Sequence, residues 1–184
     1  MTVTTTPNKR KEPLYSGLRA SPAHEHIISA LVENQPGVLA HISGMFAARS
    51  FNIASLAVGF TSDPTVSRMT IVCVGDDRVV EQIIKQLRKI ITVIRVVDMR
   101  ERPHIERELL LVKAACTKKS RSEIMQIVDI FRANIVDVSA DSIIAECTAR
   151  GQKVDAIEGL LEKFGIIEMV RTGKTALVRD GKMT

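Results

Sequence analysis

The sequence predicts an α+β protein made of two successive units, each running strand, helix, strand, strand, helix, strand. Three observations carry this expectation. The same order of strand-like and helix-like segments occurs twice, with matching positions about 82 residues apart in a chain of 184. Apolar residues make up 45% of the chain and aromatics only 3%, so the core has to be aliphatic. Charged residues make up 26%, which with the apolar share is a soluble globular composition rather than a disordered or fibrous one.

The first 25 residues, rich in Thr, Pro, Lys and Gly, show no hydrophobic period and read as a disordered tail. They lack the long apolar region of a signal peptide. Residues 27–32 (IISALV) form a strand-like run that ends in the turn signal Asn34-Gln35-Pro36-Gly37. Val38, Leu39, Ile42, Met45 and Phe46 then recur at helical spacing, with Arg49 as a basic end. Strands over 53–60 and 68–74 follow, separated by a turn at Asp63-Pro64. Asp77 is the expected N-cap of a second helix whose apolar stripe is Val80, Ile83, Ile84, Leu87 and Ile91. Residues 93–98 close the unit as a strand.

The order then returns. Residues 108–116 read as a strand, and Ser120 with Glu123 reads as a capping box opening a helix with Ile124, Ile127, Val128 and Phe131 on one face. Strands are expected at 135–139 and 142–148, a helix through Val154, Ile157, Leu161 and Phe164, and a last strand over 166–171. The stretch from Phe46 to Asn52-Ile53 matches that from Phe131 to Asn134-Ile135. A duplicated split β-α-β order is the ferredoxin-like arrangement, one antiparallel sheet with both helices on one face. The expected division is a tail (1–25), a first unit (26–99), a linker (100–106), a second unit (107–179) and a short C-terminal tail (180–184).

The strands at 27–32, 69–74 and 109–112 are apolar at consecutive positions instead of alternating, which implies that both sheet faces are covered. Units of about 75 residues have small cores, so packing of one unit on the other, or oligomerisation, is expected to supply the cover.

Composition narrows the function. The net charge of +5 is spread as an excess of two, one and two over residues 1–25, 26–99 and 100–184, without the basic face of a nucleic-acid binder. Aromatic residues are absent from the central strands, which argues against stacking of RNA bases. No apolar run approaches the roughly 18 residues of a membrane span. Cys73, Cys116 and Cys147 are widely spaced within or at the end of apolar runs and read as small hydrophobes of a reducing, cytoplasmic setting. The four histidines (His24, His26, His41 and His104) have no nucleophile or metal-ligand spacing, and no phosphate-binding glycine motif occurs. The chain is expected to have no catalytic residues, metal site or cofactor of its own. The basic residues Lys113, Arg171 and Lys174 are candidates for partner contact.

One ligand-loop signature stands out, in the first unit only. Gly37 permits close backbone approach, and the first amides of the following helix suit a carboxylate. Asn34 and Asn52 each offer donors and an acceptor, a combination that fits a zwitterionic amino acid. Gln35, Pro36, Val38 and Leu39 complete the loop. Asn52 opens a strand that this topology puts at a sheet edge, so an edge-to-edge dimer would bring one chain's Asn52 towards the other's 34–37 loop. The equivalent loop of the second unit, Thr117-Lys118-Lys119-Ser120, has no Gly or Pro, and no site is expected there.

The stretch VENQPGVLAHISGMFAARSFNIASL (32–56) resembles the opening of an ACT domain. With DPTVSRMTIV (63–72), KQLRKIITVIRVVD (85–98), ERELLLVKAAC (106–116) and GIIEMVRTGKTAL (165–177), the chain resembles the small regulatory subunit of acetolactate synthase over residues 26–179. The resemblance implies an N-terminal ACT domain that dimerises and binds valine, with leucine or isoleucine as further effectors, through Asn34, Gly37 and Asn52. It implies a C-terminal ACT-like domain that helps to hold and activate a catalytic subunit. That subunit uses thiamine diphosphate, Mg²⁺ and FAD to condense pyruvate with pyruvate or 2-oxobutyrate, a transferase reaction of branched-chain amino acid biosynthesis. The chain departs from many relatives at two positions beside Asn52, with Ser50 where they carry Gly and Ala54 where they carry an acidic residue. The competing expectation is a free-standing ACT-domain amino-acid sensor without a catalytic partner.

Overall fold

The computed structural model describes residues 24–179; residues 1–23 of the expected N-terminal tail (1–25) and the whole expected C-terminal tail (180–184) lie outside the described residues. Among the described residues, nine strands and four α-helices follow in chain order: β1 (His24–Glu33), α1 (Val38–Ala47), β2 (Ile53–Phe60), β3 (Val66–Gly75), α2 (Asp77–Leu87), β4 (Val93–Asp98), β5 (His104–Ala115), α3 (Arg121–Ile130), β6 (Asn134–Val138), β7 (Ser142–Ala149), α4 (Gly151–Leu161), β8 (Ile166–Arg171) and β9 (Thr175–Val178). They build two antiparallel sheets, one ordered β2-β3-β1-β4 and the other β6-β7-β5-β8 with β9 also on β5. The α+β class and the repeated β-α-β-β-α-β order are as the sequence predicts, and β2 is an edge strand.

Each sheet carries its helices on one face. In the first, Ile28, Ala30, Met69, Ile71, Cys73 and Val96 pack against Val38, Ile42, Phe46, Val80, Ile83 and Leu87. In the second, Leu110, Val112, Ile143, Ala145 and Cys147 pack against Ile124, Ile127, Val128, Val154, Ile157 and Leu161. Fully burying one such aliphatic side chain contributes about 1.5–3 kcal/mol.

Several sequence expectations are corrected. The strand expected at 27–32 begins at His24, so His24 and Glu25 belong to β1, and His26 is fully buried with Nε2 donating to the Gly75 carbonyl at 2.9 Å. Asp76, not Asp77, caps α2: its Oδ1 accepts from Val79 N at 2.8 Å. The helix ends at Leu87, so Ile91 leaves the stripe and is 94% exposed, while Ile90 turns inward. Ser120 and Glu123 do not form the capping box. Thr117 and Ser120 form one a turn earlier, each hydroxyl accepting from the other's amide (2.9 and 3.1 Å), while Glu123 pairs with Lys163.

The linker expected at 100–106 is largely structured, with a 3₁₀ turn at Met99–Glu101 and β5 running from His104. Strand β9 lies beyond the last strand that periodicity found. It pairs with the first four residues of β5, His104 opposite Val178 and Arg107 opposite Thr175. Ala176 and, partly, Val178 then pack with Ile27, Val72 and Met99 on the helix-free face of the first sheet. Cover of both faces holds for β1 and β3, in which Ile27–Val32 and Met69–Cys73 are buried. It fails for β5, where Leu109 and Leu111 are half-buried and burial alternates.

Candidate functional site

The 34–37 loop is anchored on both sides. Glu33 N donates to the Thr92 carbonyl (2.9 Å) and Asn34 N to that of Thr65 (2.7 Å). Asn34 Nδ2 donates to the Pro64 carbonyl at 2.9 Å, tying the loop to the 61–66 turn. That turn is closed by Asp63, which accepts from Thr65 N (2.8 Å) and Thr65 Oγ1 (2.6 Å). Those two bonds hold its carboxyl below the usual carboxylate range. Gln35 Nε2 donates to Glu33 Oε2 at 2.5 Å. The Asn34 amide thus has a structural partner that the sequence did not foretell.

Gly37 sits at the N-cap of α1 with φ +89, a conformation that disfavours any side chain, although a Cβ there would meet nothing within 4 Å. The space over the loop is therefore open. No side chain caps α1, which leaves the amides of its first turn for a carboxylate, a charge that the helix dipole favours there. Pro36 is exposed, Val38 buried and Leu39 half exposed beside them.

Asn52 stands at the other end of α1. Ser50 takes φ 54 to end the helix, Phe51 N returns to the Phe46 carbonyl (3.0 Å), and the Phe51 ring meets that of Phe46 edge-on at 6.2 Å. Asn52 is exposed and its side chain makes no hydrogen bond among the described residues. The β2–β3 register slips between Ile53 and Ser55, which makes Ala54, two positions after Asn52, the extra residue of a β-bulge.

The two asparagines do not meet within one chain. Ile53 aligns through Cys73 with His26 on β1, whereas Asn34 follows Glu33 at the opposite end of that strand. The strand rises about 23 Å over the seven steps from His26 to Glu33, and the two asparagines lie beyond those residues.

The second unit is an internal control. Its loop amides are occupied by the reciprocal Thr117–Ser120 bonds. Asn134, the counterpart of Asn52, donates to Glu146 Oε1 at 3.0 Å, and the β7 residue in that place corresponds to exposed Val74 of β3 in the first unit. The asparagine is held in one unit and left open in the other.

Two of the three candidate contact cations are already used. Arg171 pairs with Glu108 (2.8 Å), Asp155 (2.7 Å) and Glu158 (3.2 Å), and Lys174 pairs with Glu25. The Glu108 hydrogen bonds, then those to Asp155, raise the Arg171 pKa despite desolvation. Burial pushes the Cys73 thiol up to about 11 and that of Cys147 upward, so both stay protonated near neutrality. Among the described residues no group of three metal-ligating side chains occurs, and no helix is long and apolar enough to cross a membrane.

A separate groove of about 700 Å³ runs between α1 and α2, lined by His41, Met45, Arg49, Gln86, Lys89 and Ile91 among others. None of the predicted site residues lines it. Arg49 spans it, donating to the Met45 carbonyl (3.3 Å) and to Gln86 Oε1 (3.0 Å). Sequence reasoning missed this groove and the Ala54 bulge. Ala54 carried one signal, its departure from the acidic residue of relatives.

Comparison with known proteins agrees over both units. Residues 28–95 match the family described as AHAS small subunit-like ACT domain, and residues 107–180 match the small subunit of acetolactate synthase. The chain is 51% identical over 158 residues to a probable acetolactate synthase small subunit of Archaeoglobus fulgidus, covering 86% of this chain and 99% of that one. It is 43% identical over 170 residues to the acetolactate synthase small subunit of Aquifex aeolicus, covering 92% and 88%. Among solved structures, the acetolactate synthase small subunit of Thermotoga maritima superposes with a TM-score of 0.79 at 40% identity, covering 86% of this chain and 99% of that one.

Proposed function

Because this chain belongs to the acetolactate synthase small-subunit family, we propose that it serves a thiamine-diphosphate catalytic subunit as a regulator, activating it and conferring feedback inhibition by valine. The catalytic subunit supplies the thiamine diphosphate, Mg²⁺ and FAD chemistry. The first unit (26–99) is the effector-binding and dimerising part, and the second (107–179) supports the catalytic partner.

The observation that carries this reading is the separation of two complementary half-sites at opposite ends of one sheet. The uncapped amides above Gly37 suit an amino acid's carboxylate; the free Asn52 amide offers an acceptor for its ammonium. Asn52 opens β2, an edge strand of sequence IASLAVGF with no charge and no proline, and the 34–37 loop follows β1, two strands in, at the other end of the sheet. Such an edge invites pairing. Antiparallel pairing of β2 with its copy about a two-fold axis sets the start of one strand beside the end of the other, and so brings one chain's Asn52 towards the end of the sheet that carries its partner's 34–37 loop. A valine there touches both chains, and its binding favours one arrangement of the dimer. Pocket size separates valine from leucine or isoleucine by only about 1–3 kcal/mol, so these cross-react.

The test is thermal unfolding of the purified chain against single amino acids, followed by reconstitution with the catalytic subunit. Valine at about 100 times its dissociation constant adds about 2.7 kcal/mol of stability. Asn52→Ala abolishes both that shift and the inhibition. Unchanged inhibition in the variant refutes the site.

A further inference from the structure

Ser55 on β2 and Gly173 in the turn between β8 and β9 meet without spare room. Gly173 has φ +78, and a Cβ on it would stand 2.7 Å from Ser55 Oγ and 3.0 Å from Ser55 Cβ. Ser55 Oγ is buried and has no hydrogen-bond partner. Hydrogen bonding therefore does not account for a hydroxyl at this point, whereas its shape sets the distance between the two segments.

Each side of the contact is tied to a different functional part. Ser55 lies three residues after Asn52 and directly after the bulged Ala54, on a strand that among the described residues pairs only with β3. Gly173 lies in a turn gripped by the second unit: Thr172 N donates to the Leu109 carbonyl (3.1 Å), and Leu109 N donates to Thr172 Oγ1 (3.2 Å). Arg171, just before it, is locked to Asp155 and Glu158 of α4. Any shift at the start of β2 presses on a turn that has no slack, and close-packed contacts transmit such strain instead of absorbing it.

We propose that the Ser55–Gly173 contact is the junction through which an effector held at Asn52 acts on the second unit. This rests on the regulatory reading above. Ser55 and Gly173 are positioning residues; neither touches the effector.

The full-length chain reconstituted with its catalytic subunit provides the test. Ser55→Gly removes the contact from one side, and Gly173→Ala drives a methyl into it from the other. Two quantities are measured for each: valine affinity of the free chain by calorimetry, and the ratio of enzyme activity without and with saturating valine. The expected result is valine affinity within about twofold of the parent chain, with that ratio reduced at least threefold in both variants. A purely structural role would lower affinity and inhibition together. If Ser55→Gly does not fold, Ser55→Ala takes its place. A folded Ser55 variant that binds valine and is inhibited like the parent overturns this proposal alone. Absence of valine binding to the parent chain overturns the regulatory reading and this proposal with it.

Discussion

Ser50 and Arg132, 82 positions apart, are the non-glycine residues with positive φ among those described, at 54° and 48°. Each ends the first helix of its unit in the same way. Phe51 N donates to the Phe46 carbonyl at 3.0 Å, and Ala133 N to that of Val128 at 2.9 Å. The duplication therefore extends to backbone geometry. The bulges repeat as well: the register slips after Ile53 and after Ile135, and after Leu31 and after Lys113. The carbonyl that receives the closing bond belongs to Phe46 in one unit and Val128 in the other, so Phe131 is not the structural counterpart of Phe46.

Glycine is the residue that tolerates this left-handed conformation, and a side chain there costs about 1 kcal/mol or more. Ser50→Gly is expected to stabilise the chain by about 0.5–1 kcal/mol, and Arg132→Gly to act in the same direction. Urea unfolding measures both. A loss of stability in Ser50→Gly would show that the Ser50 side chain contributes more than its backbone strain costs.

The two asparagines of the candidate site should separate in their effects. The Asn52 side chain is exposed and makes no hydrogen bond among the described residues, so Asn52→Ala changes unfolding free energy by less than about 0.5 kcal/mol. Asn34 holds the Pro64 carbonyl, so Asn34→Ala loses about 0.5–1.5 kcal/mol in addition to any effect on ligand binding. Thermal unfolding without ligand checks the contrast.

Arg171 carries more stability than its surface position suggests. Its side chain is 28% exposed, but that of Glu108, which it pairs with, is only 7% exposed. Arg171→Ala leaves that carboxylate buried without its partner and is expected to cost about 3 kcal/mol. Arg171→Lys, which keeps the charge but not the forked geometry, falls between. Denaturant unfolding of the two variants gives the order.

Charge on the bare edge should block self-association. Val58, in β2, is 52% exposed. Val58→Lys retains the monomer fold and weakens dimerisation and valine binding together, which sedimentation and calorimetry read in parallel. A dimer of unchanged strength would place the interface elsewhere.

The Cys73 thiol gives an alkaline limb to stability. Burial first, and the Asp98 carboxylate second, raise it to about 11 in the folded chain, from an unfolded value near 9. The protonated thiol is the form that the fold favours. Its contribution is complete below pH 9, and between pH 9 and 11 the unfolded chain releases the proton first, so stability falls by up to about 1.4 kcal/mol per pH unit. Cys73→Ala removes that fall. Urea midpoints at pH 8 and pH 10.5 for both chains isolate it from the other titrating groups.

Element order, the two repeats, the edge position of β2 and the open Asn34-to-Gly37 loop were legible in the sequence. These features follow from apolar periodicity and turn chemistry, which act within about ten residues. Boundaries read least well where two residues of one type compete, as Asp76 did with Asp77 for the cap and Ile90 with Ile91 for the core. Only the tertiary structure decided what residues distant in sequence do to one another. Arg171 was a free cation until Glu108, 63 positions away, came beside it. Strand β9 has no core of its own and exists because β5 and the back of the first sheet accept it. The length of a strand, not the spacing of residues, sets Asn34 and Asn52 at opposite ends of the sheet. Periodicity reports which face a side chain takes; which neighbour it finds there depends on packing that closes over the whole chain.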